Sequence, residues 1–295
     1  MITEPDSSRR RADAYWAIKS QPLLHSLDNR FPDPRWYAQL PLDDFDILWP
    51  APPVWNRFRL GIQFERLWQT AIEHMPGYHL LASNLAIRDH QRTLGEFDLL
   101  IDHLGDTEHW ELAVKFYLGT GDLTKAENWY GPNPEDRLDL KTKRLLSHQL
   151  LLAKFPEAEE LLVDKNIAPV TQVRCLVKGR LFYPWQGFSD SIETYPAYTS
   201  GSHLKGWWMN RSDFKSRFSK SSTRWILLSK YLWLAPIRVT DKLPILTHSM
   251  ALDLLDKSPM TQAVHFAMID NAGQELSRGF VVNEHWLKQT IDRGD

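Results

Sequence analysis

Hydrophobic residues follow two spacings in the central part of the chain, one typical of helices and one typical of strands. The sequence LGIQFERLWQTAIEH, from Leu60, repeats apolar residues every three or four positions and predicts an amphipathic helix. Glu65 lies beside its apolar face. The runs YHLLASNLAIR, FDLLIDH and WELAVKFYLG follow after short gaps. They predict three strands joined by hairpins.

A second helix and a fourth strand are predicted after these three strands. WYGPNPEDRLDLKTKRLLSHQLLLAKF predicts one long helix, with Asn133 as its N-cap and Pro134 as its first residue. QVRCLVKGRLFYP then predicts a strand. The order helix, three strands, helix, strand predicts an α/β core over residues 56–183.

The two flanks of this core have weaker patterns. Residues 1–55 predict an N-terminal arm, in which residues 1–30 are helical and the proline-rich stretch PDPRWYAQLPLDDFDILWPAPP is irregular. Residues 184–295 predict a C-terminal α+β extension, with a helix near residues 247–256. The extension also includes a predicted hairpin, FAMIDNAGQELSRGFVV, that turns at residues 271–273.

Composition is that of an ordinary globular protein, with 43% hydrophobic and 24% charged residues. Cys175 is the single cysteine, which excludes an internal disulfide and a thiolate zinc site, so we expect a protein of the reducing cytoplasm. No apolar segment follows the N-terminal arginines, and no stretch approaches about 18 consecutive apolar residues. Neither an export signal nor a membrane span is therefore expected.

Basic and aromatic residues are concentrated between positions 205 and 230, although the net charge of the chain is −2. The cations of this basic segment are Lys205, Arg211, Lys215, Arg217, Lys220, Arg224 and Lys230. The aromatic residues between them are Trp207, Trp208, Phe214, Phe218 and Trp225. The pattern fits a nucleic-acid partner, with cations on phosphates and bases stacked on rings. The alternative is a solvated charged face over aromatic residues of the core.

Acidic side chains are grouped on the second and third predicted strands. Residues two apart share a face of a strand, so Glu96 and Asp98 point the same way, as do Glu111 and Lys115. With Glu65 from the preceding helix, these residues offer hard oxygen ligands for Mg²⁺ or Mn²⁺ and a cation near the attacking water, as phosphodiester hydrolysis requires. The alternatives are a solvated strand edge, a solvated helix flank and a lysine with a structural partner.

The order of these motifs resembles that of known nucleases. A helix glutamate, GE-x-D and a strand with a late lysine, in the order αβββαβ, resemble the PD-(D/E)XK restriction-endonuclease-like nucleases. The phrases GEFDLLI, ELAVKFYLG, GPNPEDRLDLK and HQLLLAKF resemble a bacterial family, domain of unknown function 1853, over nearly the whole chain. The resemblance implies that residues 56–183 form a restriction-endonuclease-like core with a mixed sheet flanked by helices.

The resemblance also implies roles for individual residues. Asp98 matches the metal-binding acid of the second strand, and Lys115 matches the lysine of the third strand. Glu65 matches the glutamate that some members place on the first helix. Gln149 resembles the glutamine that recombination-type exonucleases of this superfamily place close to the active site.

One position departs from the superfamily pattern, because the acid expected two residues before Lys115 is Ala113. Glu111 lies four residues before this lysine, which is about 13 Å along a strand instead of about 7 Å. Glu65 or Glu96 could supply the missing carboxylate, or a strand bulge could bring Glu111 inward. The third possibility is an inactive site.

Two functional hypotheses follow from the sequence. In the first, a cytoplasmic Mg²⁺- or Mn²⁺-dependent nuclease binds the ion with Asp98 and a second carboxylate, and Lys115 stabilises the water or the charge on the phosphate. In the second, the chain is a catalytically inactive nuclease-fold protein that serves as a nucleic-acid or protein-binding module. Ala113 favours the second hypothesis.

Overall fold

The computed structural model describes residues 7–25, 27–42, 47–51, 59–89, 92–188, 192–219, 221–258 and 263–286. Lys220 of the basic segment and residues 1–6, 43–46 and 52–55 of the predicted arm lie outside the described residues. Within the described ranges, no helix has the length and apolarity that crossing a membrane requires.

Helices and strands follow one another in the order that the spacing of apolar residues predicts for the centre of the chain. The helices are α1 (Ser7–Lys19), α2 (Pro34–Gln39), α3 (Leu60–His74), α4 (Leu138–Ser147), α5 (Pro156–Asp164), α6 (Arg211–Arg217) and α7 (His248–Lys257). The strands are β1 (Tyr78–Asp89), β2 (Arg92–His103), β3 (Asp106–Gly119), β4 (Trp129–Tyr130), β5 (Gln172–Pro184), β6 (Leu204–Asn210), β7 (Arg224–Leu227), β8 (Val264–Ile269) and β9 (Glu275–Val282). The predicted helix α3, strands β1, β2, β3 and β5, helix α7 and the β8–β9 hairpin are confirmed.

Contacts divide the chain into two compact units, and β3 and β5 contribute residues to both. The first unit comprises Met1–Val114, Lys141–Lys178 and Tyr198–Ser202. In it, β1 pairs antiparallel with β2, and β2 pairs antiparallel with β3. Helix α5 packs on β1 through a core that includes Ile87, Phe97 and Leu162.

The second unit comprises Lys115–Leu140, Gly179–Ala197 and His203–Asp295. Strand β6 pairs parallel with both β5 and β9, whereas β8 pairs antiparallel with both β7 and β9. Helices α6 and α7 pack on these strands around a core of aromatic and aliphatic side chains. The fold class is therefore α/β, with a mixed sheet flanked by helices. The boundaries after residues 55 and 183 stay predictions.

Two local predictions are wrong. Helix α4 begins at Leu138 and not at Asn133, because residues 131–136 form a loop in which the Gly131 amide donates to the Asp136 carbonyl at 2.6 Å. It also ends at Ser147, and residues 149–154 form a separate 3₁₀ turn. In the arm, which was predicted to be irregular, Asp33 caps the short helix α2 by accepting bonds from the first backbone amides.

Gly179 of β5 lies against the backbone of Lys115 on β3, and its φ of 151° falls in a region that side chains disfavour. A Cβ at this position would overlap the Lys115 carbonyl group. We expect Gly179→Ala to lower the free energy of unfolding by about 3 kcal/mol through overpacking and strain, measured by urea denaturation. Gly187→Ala is the matched control, because a Cβ there meets no atom within 4 Å. An equal loss in both variants would contradict this account.

Candidate functional site: a buried carboxylate cluster

Helix α3 presents Glu65 at the edge of its buried face. Phe64, Leu67 and Trp68 are fully buried, because the apolar residues of this helix recur at helical spacing and pack into the first unit. Glu65 follows Phe64 in this sequence and is therefore half-buried beside the apolar contact. The helix fixes the position of this carboxyl group.

Strands β2 and β3 stop pairing next to Asp98, the second carboxylate of the cluster. The ladder between them runs from His103 paired with Asp106 to Leu99 paired with Trp110. Beyond that pair, the backbone amide of Leu112 donates to the Asp98 carboxylate at 2.8 Å. Asp98 therefore binds the backbone of the neighbouring strand with its side chain.

Glu111 is the most deeply buried acid of the group, with 1% of its surface exposed. One carboxylate oxygen, Oε1, accepts a hydrogen bond from the Gln149 side-chain amide and lies 3.8 Å from the Lys141 ammonium nitrogen. The other oxygen, Oε2, has no hydrogen-bond partner among the described residues. His109 Nε2 is 4.0 Å from it, and burial lowers the pKa of His109 to about 3, so the imidazole is neutral.

Lys141 and Gln149 reach this carboxyl group from the second helical region. Lys141 lies in α4, and its ammonium group donates to the Gln149 side-chain oxygen at 2.9 Å. Gln149 begins the 3₁₀ turn that follows the break in the helix. The side-chain amide of Gln149 therefore links the lysine to Glu111. Its oxygen accepts from Lys141, and its nitrogen donates to Glu111.

Burial and mutual repulsion raise the pKa of three carboxyl groups in the cluster. Burial and the nearby Asp98 charge raise the pKa of Glu111 to about 8, although Lys141 opposes the shift. Burial and the charges of Asp98 and Glu96 raise the pKa of Glu65 to about 7. Burial raises the pKa of Asp98 to about 6, against the hydrogen bond from Leu112. The charges of Lys141 and Arg144 lower the pKa of Glu111, but burial and the charge of Asp98 have the larger effect.

The predicted residues belong to both compact units. Glu65, Glu96, Asp98, Glu111 and Gln149 all belong to the first unit. Lys115 belongs to the second unit, where its ammonium group pairs with Asp136 at 2.6 Å. Tyr117 donates to the other oxygen of this carboxylate at 3.2 Å. Lys115 therefore has the structural partner that the sequence left open as an alternative.

Lys141 is the residue that the sequence reasoning missed. It lies in a helix, and a strand lysine was sought because of the motif spacing. One signal was present in the sequence, since Lys141 and Arg144 are three residues apart and share a helix face. Both positive charges lower the pKa of Glu111.

Among the described residues, no group of three or more His, Cys, Asp or Glu side chains has the geometry of a metal site. Two observations still fit a hard cation. Oε2 of Glu111 is buried without a hydrogen-bond partner in the described part of the chain, and the neighbouring carboxyl groups raise one another's pKa. Carboxylate oxygens are the ligands that Mg²⁺ and Mn²⁺ prefer. Glu111, Asp98 and Glu65 are the residues that would hold such an ion.

The basic segment is mainly core, with a few cations exposed to solvent. Trp207, Phe214 and Trp225 are fully buried and cannot stack on bases. Arg211 pairs with Asp256, and Arg224 donates to the carbonyl of Asp270. The exposed cations of the segment among the described residues are Lys215, Arg217 and Lys230.

One protein family matches most of the chain. The family described as Domain of unknown function (DUF1853) matches residues 11–282. The chain belongs to this family. The DUF1853 match contains all the carboxylates of the cluster, together with Lys141 and Gln149. No curated protein and no solved structure matches the chain.

In this DUF1853 chain, we expect Glu111→Gln to raise the free energy of unfolding near and above neutral pH. The pKa of Glu111 is about 8 in the folded chain against an ordinary 4.5, so the folded state binds this proton more tightly than the unfolded state. The free energy of unfolding therefore falls as pH rises through this interval, and an uncharged side chain avoids the loss. The gain is on the order of 4 kcal/mol at about pH 8.5 and vanishes below about pH 4.5, measured by urea denaturation.

Glu108→Gln is the matched control on the same strand. Glu108 is equally buried, but hydrogen bonds from Arg174 at 2.7 Å and Trp110 at 2.6 Å outweigh the effect of burial and lower its pKa. Its ionised form stabilises the fold above the pKa of the unfolded state, and this contribution is lost as pH falls. Glu108→Gln should therefore destabilise the chain at neutral pH. Equal destabilisation by both substitutions would contradict the description of Glu111.

Proposed function

We propose that the chain is a restriction-endonuclease-like, divalent-cation-dependent nuclease that hydrolyses phosphodiesters. Asp98, Glu111 and Glu65 hold the cation, Glu96 lies at the edge of the cluster, and Lys141 takes the role that the sequence predicted for Lys115. The observation that carries the proposal is the buried Glu111 carboxyl group, whose pKa the charges of Asp98 and Glu65 raise and whose Oε2 has no hydrogen-bond partner among the described residues.

A divalent cation suits this cluster for electrostatic reasons. Like charges in a poorly solvated site disfavour ionisation, and the raised pKa values of Glu111, Glu65 and Asp98 express that cost. A cation of charge two would remove the repulsion and satisfy the free oxygen of Glu111. When bound, Mg²⁺ or Mn²⁺ supplies Lewis-acid activation of the phosphate and lowers the pKa of a bound water.

Lys141 and Gln149 would prepare the site for a phosphate. The Lys141 ammonium group is held between Gln149 Oε1 and Glu111 Oε1, at 2.9 and 3.8 Å. A cation fixed at such a point stabilises negative charge that develops on a phosphate oxygen. Gln149 keeps its amide nitrogen on Glu111, so that both oxygens of that carboxylate have a fixed direction.

A missing acid in the strand motif does not prevent this arrangement. Ala113 is buried, with 6% of its surface exposed, and contributes no polar atom. Glu111 lies on the same strand and supports the proposal through its contacts with Gln149 and Lys141. In this proposal the lysine comes from α4, and therefore the acid-x-lysine spacing on the strand is no longer required.

The partner we propose is a nucleic acid. Lys215, Arg217 and Lys230 are exposed to solvent and are available for phosphate contacts. Base stacking on Trp207, Phe214 or Trp225 is not part of the proposal, because these rings are buried. The expected binding is therefore electrostatic and falls as salt concentration rises.

A second candidate is the non-catalytic binding module. It is favoured by the side-chain geometry, since no metal group of three ligands exists among the described residues as they stand. The bond from Gln149 to Glu111 also occupies one oxygen that a cation would need. In this candidate the cluster is an inherited feature, and the exposed cations alone contact the nucleic acid.

Three substitutions distinguish the nuclease from the binding module and show whether Lys141 or Lys115 supports cleavage. Asp98→Ala should abolish binding of Mg²⁺ and Mn²⁺ measured by calorimetry, because it removes a central ligand. Lys141→Met should retain cation binding but lower cleavage of DNA or RNA about 100-fold, since stabilisation of the developing charge is lost. Lys115→Met, the matched control, should retain both properties because Lys115 is paired with Asp136.

Each result has a different consequence. Loss of cleavage in Lys115→Met with full activity in Lys141→Met would overturn the assignment of the cation. The absence of both cation binding and cleavage in the wild-type chain, tested on single- and double-stranded DNA and RNA, would leave the binding module as the function.

A further inference from the structure

Asn84 has an unusual backbone conformation in the middle of β1. Its φ is 50°, in the left-handed region, although β1 continues on both sides. Ser83 pairs with Leu99 and Leu85 pairs with Phe97, so Asn84 stands opposite Asp98 in the register. A left-handed residue inside a strand disfavours regular pairing, and such conformations are found disproportionately at functional sites.

The side chain of Asn84 lies between two carboxylates of the cluster. With its amide nitrogen turned toward them, the nitrogen is 3.2 Å from Glu65 Oε2 and 3.3 Å from Glu96 Oε1. This is the orientation in which the amide donates, since the opposite one places its oxygen against both carboxylates. One NH₂ group therefore serves a helix residue and a strand residue at once.

The Asn84 side-chain amide holds two carboxylates of like charge, Glu65 and Glu96, near each other. Glu65 comes from α3 and Glu96 from β2, so the two carboxylates belong to different elements of the first unit. Each hydrogen of the Asn84 NH₂ group donates to one carboxylate. A bridging donor keeps the two carboxylates at a constant separation and leaves their other oxygens free for a cation.

We propose that Asn84 is a positioning residue that holds Glu65 and Glu96 together at the carboxylate cluster. The role rests on the proposed function, since Glu65 is one of the carboxylates assigned to the cation and Glu96 lies at the edge of the same cluster. Its left-handed backbone places the amide between the helix and the neighbouring strand. Asparagine suits the position because it tolerates this conformation and has two donors on a short side chain.

Asn84→Gly is the direct test, because glycine adopts the same φ without strain and removes only the amide. We expect the dissociation constant for Mn²⁺, measured by calorimetry, to rise roughly tenfold, as for loss of residues that orient metal ligands. The midpoint of urea denaturation should stay unchanged or rise. A residue with only a backbone role would leave Mn²⁺ affinity as in the wild type.

Asn166→Gly is the matched control. Asn166 also has a positive φ, 54°, but it follows α5, and its backbone N–H donates to the Val163 carbonyl. The same substitution there should leave Mn²⁺ affinity unchanged. An equal loss of affinity in both variants, or no loss in Asn84→Gly, would overturn the role proposed for Asn84.

A measurement without metal separates this inference from the proposed function. The side-chain NH₂ signals of Asn84 in the ¹⁵N–¹H spectrum, assigned by their loss in Asn84→Gly, should shift in both Glu65→Gln and Glu96→Gln. Asn84 NH₂ signals with unchanged chemical shifts in both variants would overturn the inference. If the wild type fails to bind Mn²⁺ but these shifts occur, the proposed function fails and the positioning of the two glutamates stands.

Discussion

Burial of the Glu111 carboxyl group is the constraint on which the site depends. The side chain is 1% exposed, one of its oxygens has no hydrogen-bond partner among the described residues, and the imidazole nearest to that oxygen is neutral. Lys141 and Gln149 approach the other oxygen, Oε1. A carboxyl group in such surroundings either retains its proton or requires a cation.

The same strand contains a contrasting carboxylate. Glu108 is as buried as Glu111, but Arg174, Trp110 and His103 all bond to it. Glu108 is thus satisfied by its neighbours and stabilises the fold in its ionised form. Glu111 lies three residues along the strand, with partners that leave its charge uncompensated. Proteins commonly retain such locally unfavourable groups where they serve function, and this contrast supports the assignment of the site.

Much of the first unit was predictable because its signals are local. The apolar spacing of α3 and the strand patterns of β1, β2 and β3 survive unchanged in the structure. The prediction of one long second helix was wrong, because tertiary contacts override the helical spacing of its apolar residues. Asp136 is bound by Lys115 and Tyr117, so residues 131–136 form a loop instead of the first helical turn.

The composition of the site was only partly predictable. Alternation on a strand grouped Glu96 with Asp98, and the charges of both raise the pKa of Glu65 on the neighbouring helix. The break between Ser147 and Gln149, which turns the glutamine amide onto Glu111, has no signature in the apolar sequence QLLLAK. The choice between Lys115 and Lys141 depends on which carboxylate each meets in space, and spacing along the chain does not contain that information.

The most direct measurement of the account is the number of protons released when Mn²⁺ binds. Calorimetric titrations near pH 7 in two buffers of different ionisation enthalpy give this number, because metal binding displaces protons from its ligands. With the pKa of Glu111 at about 8 and that of Glu65 at about 7, we expect between about one and two protons to be released per ion. The release should fall sharply in Glu111→Gln. Binding without proton release, or no binding, would contradict the account of an uncompensated carboxylate cluster that takes a divalent cation.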